Sequence, residues 1–134
     1  MPVAERFAAR LLRAGWPALA WAALIFVLSH QSRPLPIAPP IAHFDKVLHA
    51  GAYGLLAVLA ARALRAAGLP GRRALWVTVL VASLYGASDE FHQSFVPGRD
   101  PDPLDWAADT GGAVLGAALV VGLPRRRSRA SIRG

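Results

Sequence analysis

The chain has 134 residues, 54% of them hydrophobic and only 17% charged, with a mean hydropathy of +0.38. Ordinary soluble domains carry about 45–50% apolar and about 25% charged residues, so the balance points to one membrane-embedded domain. The absence of cysteine excludes disulfides and thiolate metal sites, and the net charge of +7 lies in clusters beside apolar runs rather than along a basic face, which argues against nucleic-acid binding.

Arg6, Arg10 and Arg13 make residues 1–13 a basic N-terminus. The first apolar run follows, Ala14 to Leu28, with Pro17 near its start and Trp16 and Trp21 suited to the membrane interface. A cleaved signal peptide would share this layout, but Ser29-His30-Gln31-Ser32-Arg33 follows with no Ala-x-Ala site, so a retained helix is expected. Pro34, Pro36, Pro39 and Pro40 then forbid helix and make 30–43 an extended linker.

A second helix is expected from near Asp45 to about Ala67, stopped by Gly68-Leu69-Pro70-Gly71. A third runs from Ala74 to about Gln93. Pro97-Gly98, Pro101 and Pro103 form a rigid loop, and a fourth helix runs from Asp105 to Leu123, where Gly122 and Pro124 end it. Residues 124–134 read as a basic, disordered tail. Residues 14–123 thus form an all-α, four-helix transmembrane bundle. A soluble bundle would need a polar face on each helix, which Val77–Leu84 and Ala113–Val121 lack.

Twelve of the fifteen basic residues lie in the N-terminus, the 62–73 segment and the tail. The positive-inside rule makes that side cytoplasmic, with both termini there. Seven of the eight acids and all four histidines fall at or near the opposite helix ends, so the helices deliver their polar groups to one outer face.

Helical spacing sharpens the cluster. Asp45, His49 and Tyr53 share one stripe of helix two. Tyr85, Asp89 and His92 share a stripe of helix three, with Gln93 close by. Asp105, Asp109, Gly112 and Gly116 share one of helix four, where the two glycines would admit a close helix neighbour. Asp45 and Asp105 could be plain N-caps, Lys46 a partner for an acid or a headgroup, and Arg99 a group folded back after Pro97-Gly98 onto an acid or a phosphate. Asp89, Glu90 and Asp109 are costly inside a membrane unless paired or hydrated, which marks a functional site.

At these residues the chain resembles the VanZ-like family of small bacterial membrane proteins, named for a teicoplanin-resistance protein. Three stretches carry the likeness. Asp45-Lys46-Val47-Leu48-His49 with Tyr53 resembles an Asp-Lys-x-x-His…Tyr signature. Residues Asp89 to Arg99 resemble Asp-Glu-x-x-Gln-x-Phe-x-Pro-Gly-Arg. Asp105 with Asp109, Gly112 and Gly116 resembles Asp…Asn-x-x-Gly-x-x-x-Gly, with Asp109 standing where the family has Asn. The resemblance implies a four-helix protein of the bacterial inner membrane and, by analogy only, a link to glycopeptide sensitivity.

The residues themselves leave three functions open. One is a pocket for a lipid-linked or headgroup ligand. The second is a hydrolase or transferase using His49 or His92 with Asp89 or Glu90. The third is a purely structural polar network. No cofactor is implied. His-Glu-x-x-His spacing and Gly-x-Ser-x-Gly are both absent, and a metal held by His and carboxylates is possible in principle without being indicated.

Overall fold

The structure, a computed structural model, describes residues 2–32 and 41–123. The proline-rich part of the linker and the 124–134 tail lie outside the described residues. Four helices follow in order: α1 (Val3–Ser29), α2 (Phe44–Ala67), α3 (Gly71–Gln93) and α4 (Pro103–Gly122). No strand occurs among the described residues.

Three helix starts differ from the sequence expectation. α1 begins at Val3, so Pro17 lies inside the helix rather than at its first turn. Its missing N–H costs one backbone bond, which the flanking turns of a long helix tolerate. α3 begins at Gly71 behind Pro70, taking Arg72 and Arg73 into its first turn. α4 begins at Pro103, and its N-cap is Asp102, whose carboxylate accepts from the Leu104 N–H at 2.8 Å. Asp followed by Pro is a favoured helix start because proline suits N1 and the carboxylate takes an orphan donor.

α1, α2 and α4 are each long and apolar enough to cross a membrane. The 20 residues of α4 span about 30 Å, the thickness of a bilayer core. α3 is as long but carries Asp89, Glu90, His92 and Gln93 in its last turns, which lowers its apolarity. Its outer face remains apolar, with Trp76, Leu80, Val81 and Leu84 all exposed.

The packing is inverted relative to a soluble domain. The interior is made of small residues: Ala57, Ala61, Ala113 and Ala117 are fully buried around Tyr53. Large apolar side chains such as Leu19, Leu80, Leu115 and Leu119 point outward. Without water to drive burial, membrane helices associate through close backbone approach at small residues. The α2–α4 seam shows this. A Cβ on Gly112 would fall on the Ala50 carbonyl, and one on Gly116 on the Gly54 carbonyl.

α2 packs against all three other helices, most extensively against α4. α1 is fastened by side chains to backbone: Trp21 Nε1 donates to Ala52 O at 2.8 Å, and Tyr85 Oη to Ala22 O at 2.7 Å. At the basic end, Arg65 Nη1 donates to Val120 O at 2.7 Å and to Val121 O and Leu123 O. A cation there satisfies the orphan carbonyls of α4 and complements its dipole. The first turns of α1 lie beside the α2–α3 turn, where Val3, Arg6 and Phe7 line a cleft with Gly68 and Leu69. The start of α1, the α2–α3 turn and the end of α4 therefore share one end of the bundle.

Candidate functional site

The opposite end gathers the last turns of α1 and α3 and the first turns of α2 and α4. Lys46 is its cationic centre. Its ammonium donates to Asp45 at 2.9 Å, to Asp105 Oδ1 at 2.6 Å and to Asp102 Oδ2. Lys46, together with the Leu104 N–H, holds the Asp102 carboxyl below the usual carboxylate range. Neither Asp45 nor Asp105 caps a helix: the N-cap position of α2 is His43, with no side-chain cap, and α4 is capped by Asp102. Both aspartates instead serve Lys46.

One turn deeper, His49 Nδ1 lies 2.9 Å from Asp109 Oδ1. Facing a carboxylate, Nδ1 carries the hydrogen and donates it, so that in the neutral ring the lone pair is on Nε2. Nε2 lies 3.7 Å from Asp105 Oδ2. Asp109 is fully buried between Tyr53, Gly86 and His49. Glu90 is nearly buried, and its Oε2 accepts the Asp102 backbone N–H at 2.9 Å. His49, Glu90 and Asp105 each offer a ligand atom, and those atoms lie within 4.8 Å of one another.

On the α1 side, Gln93 Nε2 donates to Ser29 Oγ at 3.0 Å and to Asp89 Oδ2 at 3.2 Å, all three residues being buried. Arg99 Nε donates to Gln31 O at 3.0 Å and Nη2 to Leu28 O at 3.3 Å. Among the described residues its hydrogen bonds go to the end of α1, as those of Arg65 go to the end of α4, rather than to an acid. Gly98, at φ +80°, turns the chain to bring it there.

A cavity of about 180 Å³ opens between α1, α2 and α3. Ser29, His49, Tyr53, Asp89, Gln93 and Arg99 form its polar wall, and Ile25, Leu28, Leu48 and Ala52 its apolar one. Among the described residues, four side-chain oxygens in this region are buried without a partner: Tyr53 Oη, Asp89 Oδ1, Glu90 Oε1 and Asp109 Oδ2. Each costs about 1–3 kcal/mol if left so.

Of the sequence-predicted residues, Lys46, His49, Glu90, Asp105 and Asp109 come together around the α2–α4 entrance. Tyr53, Asp89, Gln93 and Arg99 line the cavity beside it. Asp45 sits on the exposed rim. His92 turns away: its Nε2 lies 3.0 Å from His30 Nδ1, and its ring stands edge-on to Phe26 at 4.8 Å. Gly112 and Gly116 form the α2–α4 crossing. Asp102 and Ser29 were missing from the sequence-derived cluster. The Asp-Pro pair signals the first as a cap; nothing local distinguishes Ser29.

This inverted, small-residue bundle with a polar end defines a membrane protein. A model of the VanZ/LLP1 family matches residues 14–124, most of the chain, so the chain belongs to the VanZ-like family. No curated protein and no solved structure matched.

Proposed function

We propose that this is an inner-membrane protein of the bacterial cell envelope whose outward-facing cavity binds the headgroup of a lipid or lipid-linked envelope component. The observation that carries this reading is the cavity itself, in which Tyr53 Oη and Asp89 Oδ1 are buried without partners beside an apolar wall. A polar headgroup with an attached chain matches such a two-faced lining. Lys46 is already shared by three carboxylates, and Arg99 already serves α1. The wall therefore favours a headgroup rich in donors, an amine or sugar hydroxyls, over a bare anion. A role in teicoplanin-type glycopeptide sensitivity follows from family analogy.

The test is native mass spectrometry of lipids retained by the detergent-purified protein, paired with glycopeptide sensitivity of cells expressing it. Asp89→Asn is expected to lose the retained headgroup class while keeping helix content. Unchanged retention and unchanged sensitivity in Asp89→Asn and Tyr53→Phe together would sink the reading.

A second reading, a membrane-embedded hydrolase or transferase, draws on the Asp109–His49 pair, which orients an imidazole as a general base requires. Turnover of extracted envelope lipids that disappears in His49→Gln would favour it.

A further inference from the structure

We infer that His49, Glu90 and Asp105 form a site for one divalent first-row transition-metal ion, with Zn²⁺ the best match. The inference stands apart from the headgroup reading, sharing only His49 of the cavity wall with it. In each of the three side chains, one polar atom is already held by an outer partner and the other is left over. His49 Nδ1 donates to Asp109, leaving Nε2. Asp105 Oδ1 accepts from Lys46, leaving Oδ2. Glu90 Oε2 accepts from the Asp102 backbone, leaving Oε1 buried with no partner among the described residues.

This is how metal ligands are arranged. A carboxylate on the far nitrogen of a ligating imidazole sets its tautomer and raises its basicity, and ligating carboxylates are themselves hydrogen-bonded. The gap is also right. His49 Nε2 and Asp105 Oδ2 are 3.7 Å apart, beyond a hydrogen bond. Two ligands on a tetrahedral ion stand roughly 3.4 Å apart, given metal distances of about 2.0–2.2 Å. One ligand atom from each of the three residues lies within 4.8 Å of the other two.

Charge points the same way. Asp89, Glu90, Asp102, Asp105 and Asp109 bring five carboxylates to this end, with Asp45 at the rim. Among the described residues, Lys46 is bonded to three carboxylates, whereas Arg99 is directed at backbone carbonyls. A buried excess of carboxylates is offset by protonation or by a further positive charge, and a bound cation supplies the second. Imidazole together with carboxylates selects a borderline ion over Mg²⁺ or Ca²⁺, which prefer all-oxygen shells. Three protein ligands leave a fourth position open.

The experiment uses the full chain in detergent, stripped with a chelator, then titrated with Zn²⁺ by calorimetry and read by elemental analysis. Co²⁺ serves as a spectroscopic probe through its visible absorption. One ion per chain is expected. Glu90→Gln or Asp105→Asn should abolish uptake, and Asp109→Asn should weaken it by roughly 10–100-fold. His92→Ala, at the separate His30–His92 pair, should take up the ion normally. Asp89→Asn should also keep the ion, which separates this site from headgroup binding. The inference is overturned if folded wild type takes up no ion. It is equally overturned if uptake survives both Glu90→Gln and Asp105→Asn, or is lost with His92→Ala alone.

Discussion

Gly112→Ala tests the α2–α4 seam most directly. A methyl group there would meet the Ala50 carbonyl oxygen head-on, with the Ala50 carbonyl carbon and Cα both at 2.8 Å. Ordinary contact starts at 3.4 Å, so the backbones must part by at least 0.6 Å. Neither obstacle is a side chain that can swing aside. A radial gap of about 0.5–1 Å forfeits about a quarter to a half of each dispersion contact along a seam, and overpacking a tight site costs about 1–3 kcal/mol. Because the obstacle is backbone, a loss of about 3 kcal/mol is expected. The parting would also draw Asp109, one turn away, from His49. Gly111→Ala is the control. Nothing lies within 4 Å of a Cβ there, and relief of glycine's helix penalty should stabilise by about 0.5–1 kcal/mol. Thermal unfolding in detergent, followed by circular dichroism, measures both. Equal stability of the two variants would refute the crossing geometry.

Arg99→Ala removes the donor from the last carbonyls of α1 and should cost about 1–2 kcal/mol by the same assay, with Arg99→Lys recovering part of it. Lys46→Ala leaves three facing carboxylates without their shared ammonium and should destabilise by about 2 kcal/mol, partly restored by adding Asp102→Asn. The pH dependence follows from the depressed Asp102 carboxyl. Its contribution is present above the ordinary carboxylate value of 3.8 and is lost as pH falls through the lower folded value. Acid unfolding of Asp102→Asn should therefore be shallower in that window. Reporter fusions at Gly71 and Pro101 should read cytoplasmic and external respectively; the opposite pattern would reverse the proposed orientation.

Much of the site was legible because helices make it so. Arg and Lys segregation, three prolyl or glycyl breaks and four apolar runs suffice to count helices. Antiparallel neighbours then bring alternate ends together, which is why Asp45, Asp89 and Asp105 could be assigned to one face before any contact was known. The stripe through Asp109, Gly112 and Gly116 also follows from helical period alone, and all three are buried.

The azimuth of each helix about its axis was decided only by tertiary packing. Period places Asp89 and His92 on nearby positions of α3, yet the rotation set by α3's packing buries Asp89 and turns His92 toward His30. The same uncertainty hid whether Arg99 would meet an acid or the end of α1, since its direction depends on the turn at Gly98. Asp45 and Asp105 resembled caps because residue type alone cannot show where a helix begins. Once Asp102 and Pro103 start α4, Asp105 is rotated inward onto Lys46 and His49. Charge segregation and helix order thus suffice to say which groups share an end of the bundle. Which of them touch was decided by the glycine–carbonyl crossings of α2 and α4, because contact distances depend on how closely two backbones meet.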